Sequence, residues 1–449
     1  PTNLGPTYRK GGSRMLPFPS MDALLAVVSE QPAADIVHGD RIGAALSTFI
    51  AQQQTDGGRQ HPATQVQVVV RALIPLMQDE ASGLASDAAL ALRLLSRTGT
   101  ATEDFCDESF LLSAGRAAGL SELGLASGWS HLAREASILL NNILVIRGNA
   151  FGVGAALPLR SELRAEEHIA AALSTPDAVP LGQLVAWSRI AFRLTLLPPA
   201  ADQGGAVGAS ARLARVLLRL VGWVAKELHG AERAARTQLL CVCESAARSG
   251  FNCLRSLGDA ALAASAAEQV AAMLAVEPVA DAPSATPAGE DAPLREAQLA
   301  ALQLVVAAPG GGGATCLPWR AVVSLLPPLL RGVSERPGDR RLLVPLLAAQ
   351  RVAEADKAAA AEMREALFPE AEDGGGVMGR DPNAPLGESA PLGALLVQQL
   401  CSSDTIVKRA VGEMVLAVCG GDVDEFVGVA GVGNSAGLLA EKGLLGAAA

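Results

Sequence analysis

Apolar residues recur at i, i+3, i+4 and i+7 through nearly the whole chain, and that spacing leaves few folds open. The segments 86–97, 130–146, 181–197, 211–228, 236–257, 293–308, 319–333, 390–401 and 405–419 all carry it. Such a pattern puts one apolar face on every turn of an α-helix. Alanine and leucine fill those faces. Both are strong helix formers, β-branched clusters are few, and no segment reads as a strand. Ser86, Ser130 and Ser403 or Asp404 stand where N-caps belong.

A chain of 449 residues is too long for one compact core. Many helices at short intervals, each too apolar to stand alone, predict a stacked array. Helix pairs or triplets recur at roughly 40 residues, near the armadillo and HEAT period. The expected fold class is therefore all-α, an armadillo/HEAT-like right-handed superhelical solenoid of stacked repeats. A compact helical bundle is the competing arrangement. Glycine, proline and small polar residues mark loops at 198–210, 276–293, 308–314 and 372–385. The expected organisation is a disordered segment over 1–20 and one repeat array over 21–449.

Bulk properties exclude several functions. A net charge of −10 argues against a general nucleic-acid surface. Aromatics at 3%, with Tyr8 the single tyrosine, leave no stacking platform for single strands. No run approaches the ~20 apolar residues of a membrane span. The first twenty residues show no signal peptide, so a cytoplasmic, monomeric protein without an integral membrane segment is expected. The seven cysteines include no C-x-x-C, and the five histidines lie far apart, so reduced thiols and no metal are expected.

Catalytic motifs are missing as well. "APGGGGATC" (308–316) lacks the G-K-[ST] ending of a phosphate loop. Glu166 and Glu167 sit in "LRAEEH" and read as a solvated face. "GVGNSAGLLAEKGLL" (431–445) has the glycines of a nucleotide loop but follows a helix, with no lysine at the required spacing. A tight connection fits it better. Gly431 and Gly433 would turn with positive φ, and Asn434 or Ser435 would cap the next helix. Leu438, Leu439, Leu444 and Leu445 would seal the last repeat. With no catalytic residue and no cofactor expected, function falls to a binding surface.

Polar residues at odd places are candidates for that surface. Arg93 and Arg97 are spaced i, i+4, where like charges repel by a few tenths of a kcal/mol. Presented together, they can grip a carboxylate or a partner helix's terminal carbonyls. Equally, each can pair with a neighbouring acid or reach to water. Asn141 and Asn142 interrupt "ILLNNILVI", where an amide serves either a bound peptide or a structural hydrogen bond. Arg189 and Phe192, spaced i, i+3, offer a cation beside a ring, although core packing alone would account for Phe192.

The C-terminal segment 402–445 resembles the synembryn family, also called resistance to inhibitors of cholinesterase. Family members carry a helix ending in a "VLC"-like sequence, an acidic turn and a "tGyGNaAGLLAxxGLL" signature. Gly431, Gly433, Asn434, Ala436, Gly437, Leu438, Leu439, Ala440, Gly443, Leu444 and Leu445 match it. Upstream, "ALRLLSR" (91–97), "ILLNNILVI" (138–146), "SRIAFRLTLL" (188–197) and "EMREALFPE" (362–370) resemble further family helices in order.

The resemblance implies an armadillo/HEAT-like protein that binds monomeric GDP-bound G-protein α subunits. It implies capture of the α subunit's C-terminal helix on a concave face, release of GDP and help with folding, without covalent chemistry. It also implies a cytoplasmic location, with the cell cortex reached through the partner. The family's peptide-contacting positions fall on Arg93, Arg97, Asn142 and Phe192, with Arg189 adjacent. An armadillo-type scaffold for another helical or extended peptide would use the same residues. Val429 and Val432 stand near the family's usual tyrosines. Family members continue past the signature into an acidic tail, so tail-dependent exchange is not expected of residues ending at Ala449.

Overall fold

The computed structural model describes residues 19–29, 36–55, 61–79, 81, 83–97, 102–121, 130–197, 204–277, 292–307, 314–333, 340–369 and 391–444. Among the described residues every regular element is helical. The chain divides into two compact units, Pro1–Leu163 and Arg164–Ala449.

The first unit holds α1 (Pro19–Ser29), α2 (Ile36–Thr55), α3 (Ala63–Gln78), α4 (Ala85–Ser96), α5 (Thr102–Phe105), α6 (Glu108–Ala117), α7 (His131–Phe151) and α8 (Leu157–Ser161). Helices pack on their sequence neighbours and on the helix two or three places along. Contacts α2–α4–α7 make one row, and α1–α3–α6–α8 the other.

The second unit begins with α9 (Ala165–Leu173), α10 (Leu181–Thr195), α11 (Gly204–Glu227), α12 (Arg233–Leu257), α13 (Ala260–Leu274) and α14 (Ala292–Ala307). It continues through α15 (Trp319–Ser324), α16 (Leu326–Val333), α17 (Leu343–Ala355) and α18 (Lys357–Leu367). It closes with α19 (Leu392–Gln399), α20 (Thr405–Val418), α21 (Val423–Ala430) and α22 (Val432–Glu441). Here α10–α12–α14–α17–α20 form one row and α9–α11–α13 another. Each unit is thus a stack of helical repeats of the expected all-α kind.

Two buried faces per helix explain the composition. Helix α4 buries Ala85, Ala88, Ala89, Ala91, Leu92, Leu94 and Leu95, and leaves Ser86, Leu90, Arg93 and Arg97 on its wetter side. Small alanines let neighbouring backbones approach, and leucines fill the gaps between them. The repeat period shows in the polar cross-links. Asn142 and Ser96 bond 46 residues apart, as do Trp223 and Asp177, and Arg351 and Val305; Trp319 and Glu362 bond 43 apart.

Several local expectations hold and others change. Ser130 and Asp404 cap α7 and α20, their side chains accepting from Ala133 N–H and from Ile406 and Val407 N–H. Ser86 is not a cap, because α4 starts at Ala85. The segment 319–333 is two helices rather than one. Pro327 and Pro328 cannot continue a helix but are tolerated in the first turn of the next, so α15 ends and α16 restarts at Leu326.

The expected loops fall mostly outside the described residues, as does the expected disordered start through residue 18. The exception is 198–210, where α11 already runs from Gly204. Glu166 is buried rather than solvated and accepts a hydrogen bond from Ser210 Oγ at 2.9 Å. Glu167 pairs with Arg164.

The signature segment is a tight connection, with one change. Gly431 joins α21 to α22 at φ 82°, a conformation strained for other residues. Gly433, Asn434 and Ser435 lie inside α22. Asn434 Nδ2 and Ser435 Oγ donate back to the Ala430 and Gly431 carbonyls instead of capping a later start. Leu439 is buried, and Leu438 packs on Gly412 of α20. Leu444 is half-buried, and Leu445 lies outside the described residues.

Two outcomes follow. A Cβ at Gly393 would stand 2.1 Å from the Leu367 carbonyl oxygen and 2.8 Å from the Phe368 ring. Gly393→Ala should lower stability by about 1–3 kcal/mol through overpacking. Gly437→Ala, in open space on α22, should be neutral or stabilising by up to about 1 kcal/mol. Urea midpoints of both variants check this. Among the thiols, Cys316 and Cys401 are exposed, whereas burial pushes Cys243 and Cys419 up to about 12. A thiol reagent at pH 8 should label the exposed pair within minutes and the buried pair only on unfolding.

Candidate functional site

The solvent-facing strips of the row helices carry the candidate residues. On α4 the strip is Ser86, Leu90, Arg93 and Arg97, and on α7 it includes His131, Arg134, Ile138, Asn142 and Val145. On α10, in the second unit, it is Val185, Arg189, Phe192 and Leu196. Positions i, i+3 or i+4 and i+7 recur in each. The apolar period that buries the other faces also fixes what these strips present.

Arg93 is drawn inward by a buried acid. Its Nε lies 3.0 Å from Glu135 Oε2, with side-chain exposures of 16% and 5%. Neither atom has a well-aligned hydrogen bond, so the contact is an ion pair held off axis. Burial presses the Arg93 pKa down, Glu135 opposes that, and Arg97 and Arg134 add to it. An arginine so far above neutrality stays charged. Pairing with a neighbouring acid is thus the local role of Arg93.

Arg97 ends α4 as its C-cap residue and is exposed. Among the described residues its guanidinium makes no hydrogen bond or ion pair. Asn142 is half-buried, and its Nδ2 donates to Ser96 Oγ at 2.9 Å. Ser96 Oγ in turn donates to the Arg93 carbonyl at 2.7 Å. One side of the Asn142 amide therefore ties α7 to α4. The pairs Arg93–Glu135 and Ser96–Asn142 climb both helices together, so α4 and α7 run parallel.

In the second unit Arg189 is exposed and makes no hydrogen bond or ion pair among the described residues. Phe192 is half-buried. The cation over its ring is Arg193, at 5.8 Å from the centroid, not Arg189. Neighbouring residues on a helix point about 100° apart, but a long arginine can fold back over the adjacent ring where i+3 does not.

Two further features went unnoticed in the residue pattern. Arg147 is buried, donates to the carbonyls of Ala155 and Cys106, and lies 4.9 Å over the Phe151 ring. The clasp of α4 and α7 also recurs between α10 and α12. Asn252 Nδ2 donates to Thr195 Oγ1 at 3.3 Å, and Thr195 Oγ1 donates to the Phe192 carbonyl at 2.9 Å. Ser96 and Thr195 each end their helix, so Arg93 and Phe192 hold equivalent places three residues before the hydroxyl. A search for Asn in one helix and Ser or Thr closing the helix two to three places earlier would have found the motif.

Known families settle the class. The family described as guanine nucleotide exchange factor synembryn matches residues 88–449. The chain belongs to the synembryn family. Its class of activity is guanine nucleotide exchange, exerted by binding. A search of curated proteins finds no match. Among solved structures, an engineered protein is 14% identical, with a TM-score of 0.32, covering 89% of this chain and 99% of its own. A structure described under a phosphorylation switch controlling the interaction between cadherin and beta-catenin is 13% identical, with a TM-score of 0.29, covering 93% and 94%. At these scores neither likeness says more about this synembryn relative.

Removing one partner of a buried ion pair leaves the other's charge uncompensated. Glu135→Ala should therefore cost about 3 kcal/mol, whereas Arg97→Ala should change stability by less than about 0.5 kcal/mol. Thermal and urea unfolding of the two variants measure the contrast.

Proposed function

We propose that this chain binds GDP-bound G-protein α subunits by their C-terminal helix, promotes GDP release and assists α-subunit folding. The observation that carries the reading is the family match over residues 88–449. The strips support it. Arg97 and Arg189 are exposed guanidiniums with no ion pair or hydrogen bond among the described residues, and Phe192 offers a half-buried ring. Arg93 and Asn142 lie on the α4 and α7 strips of the first unit, beside Arg97. Each is also spent on packing, so they shape the strip as much as they contact a partner.

The mechanism is differential binding. A partner whose C-terminal helix is docked here has that helix pulled from its own core, which loosens the nucleotide pocket. Exchange then follows from tighter binding to the opened, nucleotide-free state than to the GDP-bound one. Moving a 1:99 equilibrium to 99:1 requires about 10⁴-fold preference, or about 5.5 kcal/mol. The protein itself touches no nucleotide in this account.

The charge-reversed pair Arg97→Glu with Arg189→Glu should slow stimulated GDP release at least about tenfold, the equivalent of 1.4 kcal/mol, with the melting temperature unchanged. Release of labelled GDP from a purified α subunit measures it. An intact rate in that variant, or no acceleration by the wild-type protein at micromolar concentration, contradicts the proposal.

A further inference from the structure

Four cations stand in one line on α11, in a chain whose net charge is −10. Arg212, Arg215, Arg219 and Lys226 are all exposed. At 100° per residue they fall within about 60° of arc, and at 1.5 Å per residue they span about 21 Å of helix. None of the four makes a hydrogen bond or ion pair among the described residues. Glu227, the last residue of the helix, is the single acid of α11. The spacings 212–215 and 215–219 set like charges side by side, which weakens a helix instead of supporting it.

The neighbouring helices leave this line uncovered. Helix α11 packs between α9 and α13, with α12 behind it. Towards α9, Glu166 is buried and accepts from Ser210, and Asp177 accepts from the Trp223 indole at 2.9 Å. Glu167 pairs with Arg164. Towards α13, Gln269 abuts Gly222. The exposed face of α13 is mostly alanine, with Glu268 as its one acid. Alanine side chains end close to the backbone, whereas arginine reaches well beyond it. The guanidiniums are therefore the outermost groups of a layer of three helices.

That layer selects the kind of partner. A protein interface draws its energy from buried aromatic and aliphatic anchors. Among the described residues, no large apolar side chain of α9, α11 or α13 is exposed. The major groove of DNA admits a projecting helix, but α11 is flanked on both sides. A flat polyanionic surface needs neither anchor nor projection, because a row of guanidiniums meets many phosphates on it at once. We propose that the α11 stripe docks this protein on the anionic headgroups of a lipid bilayer. Docking is electrostatic and involves no insertion, since Leu213, Leu217, Leu220 and Val224 of α11 are buried inside the stack. Arg189 and Phe192 lie on α10, in the other row, so the proposal does not depend on how α subunits bind.

Sedimentation of the full chain with vesicles tests it. The vesicles are phosphatidylcholine alone, or phosphatidylcholine with about 30% phosphatidylserine, at about 0.1 M salt. Each cation near an anionic leaflet gives about a fivefold gain in affinity, so the charged vesicles should bind at least about tenfold more tightly than the neutral ones. Raising the salt to about 0.5 M should abolish the difference. Arg215→Glu with Arg219→Glu should weaken binding to charged vesicles at least about tenfold. The charge-matched control Arg331→Glu with Arg340→Glu, at exposed sites on other helices, should weaken it less than about threefold. Arg215→Gln with Arg219→Gln removes charge without adding any and should fall between. Unchanged melting shows that each variant is folded, and the glutamine pair decides if the glutamate pair is not. Equal binding to both kinds of vesicle overturns the proposal, as does binding that survives the salt. An equal loss in the stripe and control variants overturns it too. Polyglutamate and a DNA duplex are run in the same assay as competitors. If either is bound through the stripe and charged vesicles are not, the partner is an acidic chain or a nucleic acid, and the proposal falls.

Discussion

Every row helix here must bury two faces. A helix in a two-layer domain buries one stripe and leaves the rest to water, but α4 packs on α2, α3 and α7 at once. That demand explains the alanine and leucine content, the scarcity of aromatics and the narrow polar strips. It also makes the strips informative. Where only one residue in three or four can face solvent, each polar residue there has been spared burial, and each polar residue elsewhere needs a partner.

The partners are cross-links between helices, most of them at the repeat spacing. Glu135, Asn142, Arg147, Glu166 and Gln298 all answer groups on a neighbouring helix or at its end. Gln298, for example, is buried and donates to the Met273 and Val276 carbonyls at the close of α13. Such residues cost desolvation and return register. They set where one helix stops sliding along the next, which apolar surfaces of alanine and leucine leave loosely specified.

The long helices were legible, though not all of their ends, because the 3.6-residue period is strong and long, and the signature was legible because "GVGNSAGLLAEKGLL" is unusual as a string. Caps at Ser130 and Asp404 followed from local chemistry. What escaped was non-local. Glu135 in "SHLAREASILL" reads as an ordinary surface acid, and its partner Arg93 belongs to another helix. Glu166 was misread for the same reason, since Ser210 sits far along the chain. Arg189 was paired with Phe192 by spacing alone, whereas side-chain length brought Arg193 to the ring. Asn142 stood out as an anomaly, yet its sequence surroundings did not say that half of its amide was already engaged.

Parallel stacking of α4 and α7 has an electrical consequence. Antiparallel neighbours cancel their backbone dipoles, whereas parallel ones add them, so amide ends gather along one margin of the pair and carbonyl ends along the other. Ser130 and the start of α7 lie toward the first margin, and Arg97, closing α4, stands toward the second. The pair therefore has a polarity of its own, like a small magnet laid on its side. A charged segment placed across these helices meets different potentials at its two ends and is favoured in one direction over the reverse.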